Sequence, residues 1–258
     1  MNNKIDTSVP HSARIWNYWM GGKDNYPVDQ EAGDAYTSIA PHIEIMARAS
    51  RAYLIRAVSH LTRDLGVSQF LDIGTGLPTN DNTHQVAQRI TPDARIVYVD
   101  NDPIVLAHAR ALLYSDPPGS TAYVDADLHD PEELLRRAAH TLDFERPIAL
   151  MLMGILGHIK DYAEAKAIVR HLLGVLPPGS YFVHYDGTNT NADLVKAQAG
   201  YDDTGAIPYV LRSPEQIAAY YEGLELLPPG IVSCSRWRPE SETSPEPTHI
   251  LGGIGRKR

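Results

Sequence analysis

Short apolar runs and longer amphipathic stretches alternate along most of the chain. Residues 45 to 65 carry Leu54, Val58, Leu61 and Leu65 at helical spacing and stop at Gly66, a residue suited to the left-handed conformation that closes a helix. From there "QFLDIG" (69 to 74) predicts a strand, followed by a helix from Thr83 to Ile90, the strand "RIVYVD" (95 to 100) and a helix from Pro103 to Leu113. Next come "AYVDAD" (122 to 127), a helix opened by Asp130-Pro131 with Glu133, "IALMLMG" (148 to 154), a helix opened by Asp161 with Glu164, and "SYFVHY" (180 to 185). Strands alternating with helices predict a doubly wound α/β fold around a parallel sheet.

The two ends depart from this pattern. Ser213-Pro214-Glu215-Gln216 combines an N-cap serine, proline at the first helical position and glutamine at the third, so a helix begins there. "GIVSCSRW" (230 to 237) and "HILGGIG" (249 to 255) then read as strands joined by a Pro/Ser/Glu-rich link, and without a crossover helix they must pair antiparallel. The expectation is five parallel strands closed by a terminal hairpin. Pro-Pro-Gly at 117, 177 and 228 precedes a strand each time and reads as turn chemistry, not as a repeat. At the front, Ser8 to Met20 predicts a short helix with Pro10 near its start and Gly21 at its end.

Over 258 residues the formal net charge is −9, with no long Lys/Arg run, which argues against wrapping nucleic acid or docking on anionic lipid. The single cysteine, Cys234, excludes an internal disulfide framework and a Cys-based zinc cluster, and suits a reducing cytosol. Eleven histidines are scattered without ligand spacing, so no metal is expected. The longest apolar run, Ile148 to Leu156, is too short to span a bilayer, and the N-terminus shows no basic-then-apolar signal pattern. The expectation is a cytoplasmic protein with a small-molecule partner and neither a membrane nor a nucleic-acid one; oligomeric state stays open.

Candidate chemistry sits in two places. "WNYWMGGKDNYPVD" (16 to 29) resembles a phosphate loop only superficially, because Asp24 follows Lys23 where Ser or Thr is needed and would repel phosphate. "LDIGTGLPT" (71 to 79) puts an acid and two glycines at the carboxyl end of the first sheet strand, where open α/β sheets bind ligands. The dinucleotide fingerprint is incomplete there, since its third glycine is replaced by Thr79. Asp100 ends the second strand, where a carboxylate accepts hydrogen bonds from a ribose diol, and Asp127 ends the third, where an acceptor suits an adenine amino group. Asp102 and Asp125 read as solvated strand-end acids. Together these residues imply an adenosine ligand without a diphosphate.

"FLDIGTG", "VYVDNDPIVLAHAR" and "VDADL", in that order, resemble motifs I, II and III of the class I S-adenosylmethionine-dependent methyltransferases. With "PHSARIWNYWMGGKDNYPVDQEAGD", "RWRPE" and the "GGIGRK" ending, nearly the whole chain resembles the actinobacterial methyltransferase family formerly called DUF574. The resemblance implies a seven-stranded Rossmann-like sheet with an antiparallel last strand, an N-terminal helical lid with lead-in helices over residues 1–66, and a methyltransferase domain over 67–258 as one unit. It implies S-adenosyl-L-methionine as cofactor. The expected cofactor contacts are Gly74, Thr75 and Gly76 beside the methionine part, Asp100 and Asn101 at the ribose, Asp127 with Leu128 at the adenine, and Met153 and Gly154 at the end of the fourth strand. Asp72 is expected to anchor the loop or meet the amino group. No Asn-Pro-Pro-Tyr or Asp-Pro-Pro-Tyr follows the fourth strand, which removes support for methylation of nucleic-acid bases.

Methyl transfer from a sulfonium is an in-line displacement, so alignment does most of the work and a base is needed only for a protonated nucleophile. His158 is the best-placed candidate base, although a lone histidine is more often structural; His184 and Tyr185 are weaker candidates. Tyr18, Gly22 and Asn25 are expected to close over the cofactor, whereas Trp16 and Trp19 are expected to pack on the core. Lys23 should keep away from the sulfonium and pair with Asp24, Asp29 or the methionine carboxylate. A non-catalytic S-adenosylmethionine-binding regulator and an NAD(P)-dependent oxidoreductase are the competing readings.

Overall fold

A computed structural model describes residues 6–79, 81–112, 119–240 and 245–258. Three helices precede the sheet. α1 (Ser12–Trp19) starts later than Ser8 because His11 is its N-cap, its imidazole accepting from the Ala13 N–H at 3.3 Å. It ends at Gly21, whose φ of +79° permits the turn. α2 (Pro27–Ile39), which the apolar pattern does not announce, has proline in its first turn and Asp29 reaching back to the Tyr26 N–H at 2.9 Å. α3 (Ile43–Arg63) begins two residues ahead of the spacing read from the sequence and gives way to Gly66 at φ +69°.

The alternating part follows: β1 (Gln69–Ile73), α4 (Thr83–Ile90), β2 (Arg95–Asp100), α5 (Pro103–Leu112), β3 (Ser120–Asp125), α6 (Pro131–Ala138), β4 (Ala149–Met153), α7 (Tyr162–Val175) and β5 (Tyr181–Gly187). β1 and β4 are buried along their whole length, as strands covered on both faces must be. α6 and α7 open as predicted, with Asp130 and Asp161 accepting from the N–H groups of Glu133 and Glu164. β3 starts and stops two residues before its predicted span. Asp125 therefore pairs with Asp100 across the ladder, and Asp127 lies beyond the strand. Leu113, and Pro117 and Pro118 of the first Pro-Pro-Gly, lie outside the described residues.

α8 (Ala192–Asp202) is a second helix the pattern does not announce; α9 (Pro214–Ala219) carries the predicted capping box. β6 (Glu225–Leu226), β7 (Val232–Ser233) and β8 (Ile250–Arg256) complete the sheet, in the order β3-β2-β1-β4-β5-β8-β6, with β7 also on β8. β1 to β5 run parallel and β8 lies antiparallel on β5. The expected strand over 230–237 shrinks to Val232–Ser233, because the outer edge of β8 is shared between β6 and β7 and a 3-10 turn over Cys234–Arg236 carries Trp237 into the core.

Alternate residues of each strand feed two apolar layers. Phe70, Ile96 and Met151 face the layer built with α1, α2 and α3, while Leu71, Val97 and Leu150 face the layer built with α6 and α7. Ile15, Trp19 and Tyr36 belong to the first layer, so the N-terminal helices and the sheet share one core. α1 and α2 are fixed to each other by a fully buried ion pair. Arg14 Nε approaches Asp29 Oδ2 at 2.9 Å, at 1% and 0% exposure, and Arg14 also donates to the carbonyls of Asp6 and Val9. Asp29 accepts in addition from the His11 and Tyr26 N–H groups, both at 2.9 Å. Asp29→Ala strands a buried guanidinium, with an expected loss of about 3–5 kcal/mol in urea denaturation. Breaking the exposed Arg48–Glu44 pair with Glu44→Ala should cost less than about 1 kcal/mol. Equal losses would show that the buried pair does not hold the N-terminal helices.

Candidate functional site

A cavity of about 450 Å³ lies over the carboxyl ends of the central strands, beneath α1, within the roughly 300–1,000 Å³ typical of small-molecule sites. Its floor is the loop after β1. Gly74 donates its N–H to Val99 O at 2.8 Å, and a Cβ on it would lie 2.5 Å from Ile155, so the space at Gly74 is filled by the loop after β4. Gly76 differs. Its φ is +62°, its N–H donates to Asp100 Oδ2 at 3.0 Å, and a Cβ there would meet nothing closer than Ala13 Cβ at 4.0 Å. The open face of the loop is thus at Gly76, with α1 above it. Thr75 is turned aside, its hydroxyl 2.9 Å from that of Tyr123.

The strand-end acids are held in different ways. Asp72 is buried and accepts from the Thr83 hydroxyl at 2.6 Å. Burial pushes its carboxyl from the ordinary 3.8 up to about 6, against the opposing pull of Thr83 and the nearby Arg51 guanidinium, which also lines the cavity. Asp100 accepts the Gly76 and Asp102 N–H groups, one on each oxygen at 3.0 Å; burial still raises its pKa. Asp102 is not the solvated acid its position suggests. It is buried, caps α5 by accepting from the Ile104 N–H at 2.8 Å, and meets His11 Nε2 at 3.0 Å. Burial would raise its pKa, but the His11 and Ile104 contacts outweigh it and hold the carboxyl below its usual range. Asp127 lies at the exposed edge, accepting from the His129 N–H at 2.9 Å and from Asn101 at 3.4 Å, while Leu128 beside it is buried.

At the other end, Met153 and Gly154 line the wall, with Gly154 at φ +75° so that the Tyr185 ring can close on it. His158 follows in a 3-10 turn. Its Nδ1 lies 3.0 Å from Pro208 O, and burial lowers its pKa, so the ring is neutral with its proton on Nδ1 and its lone pair on Nε2. The Tyr209 ring meets it edge-on at 5.1 Å, and the Tyr209 hydroxyl donates to Asp186. His184 is in the opposite layer, fully buried against Asp186 at 3.2 Å, and does not line the cavity; Tyr185 does.

The front segment is only partly where the sequence suggests. Tyr18, Gly22 and Asn25 do not line the cavity. Tyr18 falls on the face of α1 toward α2 and donates to Asp34 at 2.8 Å, while Gly22 and Asn25 pack around the Asn17 side chain. Trp16 and Trp19 pack on the core as expected, Trp19 within it and Trp16 against it, and both also line the cavity. Asp29 is committed to Arg14 and Lys23 is exposed. His11, Arg51, Asp102 and Tyr209 are cavity residues that sequence reasoning misses. Only Asp102 carried a signal, its place after β2. Among the described residues no cluster of three or more His, Cys, Asp or Glu is placed to hold a metal, and no helix is long and apolar enough to cross a membrane.

A family model described as S-adenosyl methyltransferase matches residues 1–258. A DUF574 family protein from Streptomyces avermitilis is 43% identical over 99% of this chain and 100% of its own, with a TM-score of 0.94. A protein from Thermobifida fusca is 37% identical over 98% of this chain and 97% of its own, with a TM-score of 0.90. An O-methyltransferase family protein from Burkholderia thailandensis shares the fold at 16% identity and a TM-score of 0.54, over 86% of this chain and 62% of its own. No curated protein sequence matches.

The raised pKa of Asp72 sets a pH dependence. Below about pH 4 the carboxyl is protonated folded or unfolded and costs nothing. Between about pH 4 and 6 only the unfolded chain ionises it, so folding loses about 3 kcal/mol across that window, from a shift of 3.8 to about 6. Asp72→Asn should therefore gain stability relative to the wild-type protein as pH rises through this range and stay level above it. A pH-independent difference in chemical denaturation would contradict this environment for Asp72.

Proposed function

Because the chain belongs to the S-adenosyl methyltransferase family, we propose that it passes the methyl group of S-adenosylmethionine in line to a small-molecule acceptor held in the cavity over the strand ends. The observation that carries the placement of the cofactor is Asp100. Each of its oxygens takes one backbone N–H, which leaves lone pairs for a ribose diol. Open space over Gly76 leaves room for a ligand against the backbone. Buried Leu128 offers an apolar face to an adenine, with Asp127 and Asn101 at its polar edge. Arg51 and Asp72 offer opposite charges to a zwitterionic amino-acid end, and Gly74, Thr75, Met153 and Gly154 frame that end through the packed floor.

Bound there, S-adenosylmethionine supplies a methyl group already activated by its sulfonium. The chain's own contribution is alignment and exclusion of water: α1 covers the glycine loop, and the His11–Asp102 contact at 3.0 Å pins its first turn to the end of β2. His158 Nε2 is the group in reach to accept a proton from an acceptor that must lose one. The net charge of −9 supports a small acceptor over nucleic acid, and a buried free thiol at Cys234 suits a reducing cytoplasm.

Titration calorimetry with S-adenosylhomocysteine should give micromolar binding, weakened about 10- to 100-fold in Asp100→Ala, the range expected for hydrogen bonds to a charged group. Titration with NADH should leave nicotinamide fluorescence unchanged. Absence of S-adenosylhomocysteine binding, or equal affinity in Asp100→Ala, overturns the assignment.

A further inference from the structure

The cavity wall divides by charge. Among its described lining residues every Asp, Glu, Lys or Arg, namely Asp72, Asp100, Asp102, Asp127 and Arg51, lies at or beyond the ends of β1, β2 and β3 or packs beside them. The part beneath the end of α1, α2 and α8 and over β4 and β5 is lined by Trp16, Trp19, Tyr36, Met46, Leu194 and Tyr201, with Gln198 as an uncharged polar member beside the Tyr36 hydroxyl. An ionic acceptor seated there would give up its water and find no counter-charge. Its rings meet edge to face, Trp16 on Trp19 at 5.7 Å and 69°, Trp19 on Tyr36 at 5.1 Å and 61°, so edges and faces are both present for a flat guest. At the rim, Ile207 lines the cavity yet is 53% exposed, an apolar lip next to Pro208, the residue that holds His158.

His158 stands where the two parts meet, since β4 lies between β1 and β5 in the sheet. We infer that the methyl acceptor is an uncharged aromatic alcohol, a phenol, seated in the apolar part with its hydroxyl toward His158 Nε2. This rests on the methyltransferase reading above and narrows it. As the acceptor's O–CH3 bond forms, the CH3–S bond breaks with its electron pair remaining on sulfur, and the hydroxyl proton passes to Nε2 and on to water. An imidazole that burial keeps neutral is a weak base, and it matches a phenol, ionising near about 10, far better than an alkyl alcohol. His158 would then be a catalytic residue, and Tyr209, which holds the imidazole edge-on while tied to Asp186, a positioning residue.

The test uses the full chain with labelled S-adenosylmethionine and four probes on one fused ten-carbon skeleton: 2-naphthol, 6-hydroxy-2-naphthoate, 2-naphthylamine and decahydro-2-naphthol. S-adenosylhomocysteine affinity is measured on the same sample, so that a failed cofactor site is told apart from a wrong acceptor class. The expected result is transfer to 2-naphthol at least about 100-fold faster than to the anionic, amine or saturated probe. His158→Ala should cut that rate by about 100-fold or more with S-adenosylhomocysteine affinity unchanged. Tyr209→Phe should lower the rate with little change in KM. Preference for any other probe, or no transfer to 2-naphthol by a protein that binds S-adenosylhomocysteine, overturns the inference, as does full activity in His158→Ala.

Discussion

One buried carboxylate organises the front of the molecule. Asp29 takes the Arg14 guanidinium and the N–H groups of His11 and Tyr26, and so fixes the start of α1, the start of α2 and the angle between them in a single point. Unpaired, either charge would be expensive in so dry a place; paired and fully hydrogen-bonded, the two specify one arrangement and penalise others. The influence of this pair extends to the ligand cavity. Only with α1 in this orientation does Ala13 come down over Gly76, and only then does His11 reach Asp102 at the end of β2.

The sheet was legible because its strands are uniform. β1, β2 and β4 are short apolar runs buried on both faces, their ends are marked by Asp or Gly, and the helices that follow β2, β3 and β4 open with Asp102, Asp130 and Asp161. α2 and α8 were hidden for the opposite reason. α2 buries Asp29, Gly33 and Tyr36, and α8 buries Leu194, Ala197 and Tyr201, so neither turns a broad aliphatic stripe inward; they lie against each other, with the Tyr36 hydroxyl 3.5 Å from Gln198. The strand expected over 230–237 failed on a matter of partners. A β-branched, apolar run predicts pairing capacity, but one edge of β8 was all that remained, and β6 and β7 divide it.

The cavity divides along the same line. Residues at strand ends, Asp72, Gly76 and Asp100 among them, lie where the alternation of strands and helices puts them, because the position of a strand end follows from the strand itself. Tyr18, Gly22 and Asn25 lie away from the cavity because Tyr18 is turned to Asp34 of α2 and Gly22 and Asn25 pack around the Asn17 side chain, contacts between segments that the residue pattern does not record. The roles of Arg51, Asp102 and Tyr209 depend on long-range contacts, with Asp72, His11 and Asp186, which no local pattern records.

Gly74 looks like a ligand-facing glycine, yet its missing side chain is filled by Ile155, three residues ahead of His158. The loop that frames the proposed cofactor site and the turn that carries the proposed base are therefore keyed into each other as tenon and mortise. Lifting one away from the other means breaking this contact. The distance between the two halves of the reaction is then a dimension cut into the scaffold by one aliphatic side chain, before any ligand arrives.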